Sequence, residues 1–200
     1  MDALDDKPLV WVYCGNPRYG GNVATPIDSI VVIRTAIAVL SELPVNVVLT
    51  TGFQELPSEF GSLPPNFHHA AYVPDRAMAE RCDVMVHHGG HGSTMTALLA
   101  GTPAVIIPTI TERESNARRA ASLGTAEVVL PADGTEGEKH VDVQDFAEKL
   151  KRVLSDERYL ESARRVAESM GRYGGAREAA DQIEKFAGAP LAGVGHVTTK

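Results

Sequence analysis

Residues 84–101 read VMVHHGGHGSTMTALLAG. Val84 to His88 is a run of strand length that opens on the apolar Val-Met-Val. Gly89 to Gly92 cannot continue a strand, and Ser93 to Ala100 then has helical character up to Gly101, a natural helix stop. A strand that turns directly into a helix is the repeating unit of parallel α/β sheets. Such a turn aims the free N–H groups of the first helical turn at whatever lies above the sheet. Glycines there allow positive φ and admit a ligand without a Cβ in the way. The Ser93 and Thr94 hydroxyls add donors, and a histidine at the strand end, His88, can donate to a phosphate oxygen. Two readings stand at this point: a phosphate or diphosphate site, or an unliganded turn whose glycines serve packing.

The same alternation runs outward in both directions. Leu9 to Cys14 (LVWVYC) reads as a strand ending in Gly-Asn-Pro. Thr25 is placed to cap a helix with Pro26 at its first position, its apolar face made by Ile30, Ile33, Ile37 and Leu40. VNVVLT is a second strand, residues 54–66 a loop, and FHHAAYV a third strand. Asp75 is read as the cap of a short helix. AVIIP, a helix over Arg113 to Leu123, EVVLP, and helix from Asp142 to about Ala187 complete the chain. Strands and helices alternating this regularly predict one Rossmann-like, doubly wound parallel sheet of about six strands over residues 1–187. Residues 188–200 are read as a mobile tail. Ligands in this class bind beyond the carboxyl ends of the strands, where the strand order reverses.

Composition narrows the function. The chain has 200 residues, 44% hydrophobic and 22% charged, with a formal net charge of -7. That balance argues against nucleic acid or an anionic membrane as partner. Two cysteines, Cys14 and Cys82, are too few for a disulfide framework and suit a reducing compartment. MDALDDKP lacks the basic-then-apolar order of a signal peptide, and every apolar run is strand-sized, so a cytoplasmic protein without a transmembrane segment is expected.

Three other chemistries compete for the histidines and glycines. His68, His69, His87, His88 and His91 invite a metal, but neighbouring strand residues point to opposite faces, and Gly89-Gly90 interrupts helical pairing of His88 with His91. No metal or cofactor is expected. Gly90-x-Gly92 lacks the third glycine of a dinucleotide fingerprint, since Met95 stands there, although Glu112 lies at the distance of a ribose acid. GNPRYGGN, from Gly15, has a P-loop frame but offers Gly21 and Asn22 where Lys and Ser or Thr are needed.

His88-x-Gly90-x-Gly92-Ser93, TALLAGTP, Pro108 and Asn116-Ala117 together resemble the donor-binding motif of GT-B nucleotide-sugar-dependent glycosyltransferases. The family in question holds plant and vertebrate glucosyl- and glucuronosyltransferases and bacterial antibiotic glycosyltransferases. The resemblance spans about Leu9 to Ala187. It implies that His88 and the backbone of Gly90, Gly92, Ser93 and Thr94 hold the donor diphosphate. Tyr72-Val73-Pro74-Asp75 matches an aromatic-x-Pro-Gln segment that meets the base, which implies base contacts for Tyr72 and Asp75. Many members have a ribose-binding glutamate where Thr96 stands, and a sugar-binding Asp-Gln where Glu112 and Arg113 stand. Thr96-Ala97-Leu98 is more similar to actinobacterial enzymes using thymidine-diphosphate deoxysugars. The implied donor is thus a TDP- or UDP-sugar, taken as substrate. Arg113 is equally read as an ion-pair partner of Glu112 or Glu114.

A GT-B enzyme has two such domains, with the acceptor site and the usual histidine base in the first. The chain matches only the second, so no catalytic residue is assigned. An N-terminal acceptor-binding domain or subunit is the expected partner, and the chain alone is expected to transfer nothing. The alternative is a stand-alone nucleotide-sugar-binding module.

Overall fold

The computed structural model describes residues 6–15, 26–53, 55–134 and 139–188. The cap at Thr25, most of the 15–22 frame and the tail beyond Gly188 lie outside them. Six strands form one parallel sheet: β1 (Leu9–Tyr13), β2 (Asn46–Thr50), β3 (Phe67–Ala70), β4 (Val84–His87), β5 (Ala104–Ile106) and β6 (Ala126–Val128). Their order is β3-β2-β1-β4-β5-β6. Chain order reverses between β1 and β4, where Tyr13 registers with His87. The first crevice available to a ligand therefore opens beyond these two strand ends.

Strand alternation sorts the core into two layers. Val10, Val12, Val84, Val86, Val105 and Ile107 face one side, under helix α1 (Pro26–Leu40) and helix α5 (Val143–Ser155). Trp11, Val48, Met85 and Ile106 face the other, under α2 (Asp75–Ala79), α3 (His91–Ala100) and α4 (Thr111–Ser122). Burial on both faces is why these strands are apolar throughout rather than alternating. Trp11 is fully buried, and its Nε1 donates to Thr50 Oγ1 at 3.0 Å, so burying the indole leaves no orphan donor.

Several elements differ from the sequence expectation. Helix α1 is buried more broadly than one stripe, at Val31, Val32, Ile33, Thr35, Ala36, Val39 and Leu40, whereas Ile30 is half-buried and Ile37 is half-buried but packs against the core. Packing of α1 against α5 as well as the sheet widens its buried face. The run from Asp142 breaks into α5, α6 (Glu157–Met170) and α7 (Gly175–Gly188). Asp142 Oδ1 accepts from the Gln144 and Asp145 amides to start α5, and Asp156 accepts from the Arg158 amide to start α6. Asp75 is the first helical residue of α2, not its cap: Pro74 holds that place and no side chain caps the end. A small antiparallel pair, β7 (Ala132–Asp133) with β8 (Lys139–His140), comes after the sheet. No helix among the described residues is long and apolar enough to cross a membrane.

Candidate functional site

The β4–α3 turn is shorter than its glycines suggest, because α3 starts at His91 rather than Ser93. The last strand residue, His87, is fully buried. Its Nδ1 accepts the Gly89 amide at 3.0 Å, which puts the ring proton on Nε2. Burial pushes its pKa down to about 3, with the neighbouring His88 as a smaller cause, so it stays neutral. His88 turns to different surroundings. A Cβ built on Gly90 would lie 2.5 Å from His88 Nε2, and one on Gly15 would lie 2.9 Å from its Cε1. The two glycines, from β4's end and β1's end, thus box the imidazole from two sides. Tyr13 lies beyond, its ring centroid 6.3 Å from that of His88.

Gly89 has φ +81, and a Cβ there would meet the Arg113 carbonyl at 2.8 Å, so close approach of α4 also demands glycine. Asn116 Nδ2 ties the two elements together, donating to Gly89 O at 3.0 Å and to Glu112 Oε1 at 2.6 Å. Gly92 is different: a side chain there would meet nothing within 4 Å. Packing gives no reason for a poor helix former at this place, but room for a ligand does.

The free N–H groups of α3 lie at His91, Gly92 and Ser93, because the Thr94 amide already bonds Gly90 O at 3.0 Å. No acidic residue stands in this first turn, so the positive end of the helix is left for an external anion. Ser93 Oγ donates to Gly90 O at 3.0 Å, which fixes the turn. Thr94 Oγ1 is buried with no hydrogen-bond partner among the described residues.

Glu112 and Arg113 reach the same turn from α4. Arg113 donates to Thr109 Oγ1 at 2.6 Å, while Glu114 bonds Arg118 and Glu112 bonds Asn116. Thr96 is half-buried one turn further along α3. Tyr72 and Asp75 line a separate cleft of about 220 Å³ beyond β1–β3, together with Tyr13, Thr50, Gly52, Ala71 and Val73. Tyr13 is therefore the bridge between cleft and turn. Burial raises the Asp75 carboxyl above its ordinary pKa. It pushes the Tyr13 phenol up to about 12, with the charge of Asp75 adding to the effect. Sequence reasoning gave no role to Tyr13 or to Phe53, whose ring stacks on Tyr72, and took Gly15 only as the start of a rejected P-loop frame. Only the β1–β4 adjacency of the folded sheet brings Tyr13 and Gly15 to His88.

Residues 34–186 match the model of a family described as "Erythromycin biosynthesis protein CIII-like, C-terminal domain". The chain belongs to that family. Among this glycosyltransferase domain's relatives is the NDP-glycosyltransferase YjiC of Bacillus subtilis (strain 168), 34% identical over 140 residues, covering 70% of this chain and 34% of that protein. Another is the demethyllactenocin mycarosyltransferase of Streptomyces fradiae, 32% identical over 187 residues, covering 90% of this chain and 36% of that one. The calicheamicin glycosyltransferase CalG4 superposes with a TM-score of 0.72 at 25% identity, covering 95% of this chain and 44% of that chain. The chain spans about a third of the length of these curated relatives. Its six-stranded parallel sheet with flanking helices is the Rossmann-like fold of GT-B glycosyltransferase C-terminal domains.

Proposed function

We propose that this domain holds the nucleoside-diphosphate sugar donor, a TDP- or UDP-sugar, of an inverting glycosyltransferase. The observation that carries the reading is the β4–α3 turn: His88 boxed by Gly15 and Gly90 beside an acid-free helix start, with open space at Gly92. The diphosphate would sit against His88 and the amides of His91, Gly92 and Ser93, the base in the Tyr72–Asp75 cleft, and the ribose near Thr96. Glu112 and Arg113 would face the sugar. An acceptor hydroxyl, deprotonated by a base in a second, acceptor-binding half, attacks the anomeric carbon. The bond from that carbon to the phosphate oxygen breaks, and the electron pair leaves with the diphosphate. His88 and the start of α3 stabilise that developing charge, and the reading requires no further cofactor.

Support for a partner half comes from α7. It has no buried residue, and Ile183 and Phe186 are 67% and 79% exposed. Exposed apolar residues grouped on one helix suit a protein contact. The acidic, two-cysteine composition supports a cytoplasmic location.

Calorimetric titration tests the reading. His88→Ala should weaken thymidine or uridine diphosphate by about ten- to a hundredfold, as expected for one charge-assisted hydrogen bond. Equal affinity in wild type and variant would remove His88 from the site. The chain alone should transfer no sugar to any acceptor, and turnover without a second half would show that the base lies here.

A further inference from the structure

Phe53 sits in a backbone conformation that its side chain does not favour. It is the one non-glycine residue with positive φ, +68°, among the described residues, and it comes directly after Gly52 at +61°. A bulky side chain in the left-handed region is strained, and such strain persists only where the surroundings over-determine it. Here the Phe53 amide is held on Ala71 O at 2.7 Å, tying the loop after β2 to the loop after β3. The ring that results is not used in either core layer. It lies nearly flat on Tyr72, with centroids 4.7 Å apart and planes 10° apart. Both rings stay open to solvent, 43% and 53% exposed; Tyr72 lines the Tyr13–Asp75 cleft, as does Gly52, the residue before Phe53.

We infer that Phe53 is a positioning residue of the base site, holding the Tyr72 ring as the platform on which the donor pyrimidine stacks. The inference rests on the donor-binding function proposed for the domain. A lone exposed tyrosine samples several rotamers, and a base that stacks on it must first order it. Phe53 imposes that order in advance, so less is lost on binding. The cleft supplies complementary edges: the Tyr13 phenol keeps its proton and donates to a base carbonyl, and the Asp75 carboxyl accepts from a ring N–H. The neighbouring His88 turn takes the phosphates, so loss of the platform weakens nucleotide binding and leaves phosphate binding alone.

Phe53→Gly separates this role from a structural one, because glycine accepts the left-handed backbone and loses only the ring. The full chain, wild type, Phe53→Gly and Phe53→Tyr, is titrated with thymidine diphosphate and with inorganic pyrophosphate, and its Tm is measured. Phe53→Gly should keep or raise Tm, bind thymidine diphosphate about tenfold more weakly, and bind pyrophosphate as wild type does. Phe53→Tyr should restore the nucleotide affinity. Wild-type nucleotide affinity in a folded Phe53→Gly overturns the inference alone, as does an equal loss for both ligands. A wild-type chain that binds neither ligand overturns the donor-binding function, and the inference with it.

Discussion

Gly90→Ala is a substitution of one methyl group that should disable the phosphate site while sparing the fold. Gly90 has φ -58° and ψ 151°, a conformation alanine adopts without strain. The added Cβ, however, would lie 2.5 Å from His88 Nε2, about 0.9 Å inside the 3.4 Å where ordinary contact begins. The ring already occupies the space left beside β1 by the missing side chain of Gly15, where a Cβ would lie 2.9 Å from His88 Cε1. His88 must therefore leave its place and lose its bond to the diphosphate, worth about 1.5–3 kcal/mol if charge-assisted. That is about ten- to a hundredfold in affinity. Stability moves the other way, because alanine narrows the unfolded ensemble by about 0.4–1 kcal/mol. Calorimetry with thymidine diphosphate and urea unfolding read the two effects separately. In the double variant with His88→Ala, the loss should not exceed that of His88→Ala alone, because both changes remove one interaction. Undiminished nucleotide affinity in Gly90→Ala would refute the claim that the boxed imidazole grips the phosphates.

Thymidine diphosphate should bind at least as tightly as uridine diphosphate, because Thr96 leaves no carboxylate unpaired against a deoxyribose. Thr96→Glu should shift the preference toward uridine by at most about 1.5–3 kcal/mol, and a wild-type preference of tenfold or more for uridine in paired titrations would oppose this. Acid should destabilise the fold through His87, whose ring titrates near 6.5 when unfolded but at about 3 when buried. The unfolded chain binds the extra proton between those values, so stability is full above pH 6.5 and falls as pH drops toward 3. The loss is at most about 1.4 kcal/mol per pH unit. Urea titrations from pH 7.5 to 5 should show a shallower slope in His87→Asn, and an unchanged slope would place the acid sensitivity elsewhere. Ile183→Asp with Phe186→Asp should change stability by no more than about 0.5 kcal/mol, since both side chains are exposed. The same pair should abolish pull-down of a separately expressed acceptor half, and retained capture would free α7 of that role.

The strand-to-helix turn at 84–101 was legible because local chemistry dictates it: an apolar Val-Met-Val start, then glycines, then a helix-forming run. Features set by long-range pairing were not legible. His91 and Gly92 are poor helix formers, yet α3 begins there because the Thr94 amide finds Gly90 O. The setting of His88 depends on β1 lying beside β4, which brings Gly15 next to Gly90 across more than seventy residues of sequence. Glycine at 90 could be read as room for a ligand, whereas it makes room for a histidine. Of the three glycines in the β4–α3 turn, Gly92 alone faces open space. The left-handed backbone at Phe53 has no local signal beyond Gly52, since it is imposed by the bond to Ala71 on the next loop. The two-residue strands β7 and β8 are too short for any periodicity to register.

Whether the start of α3 receives the donor diphosphate is read most directly from backbone amide chemical shifts. A uniformly nitrogen-15-labelled chain is titrated with thymidine diphosphate, and each amide is tracked in two-dimensional spectra. The largest shifts should fall on His91, Gly92 and Ser93, the three free N–H groups of the helix start, and inorganic pyrophosphate should move the same three. Saturable shifts confined to other parts of the fold, with these three amides unmoved, would contradict a phosphate site at the β4–α3 turn.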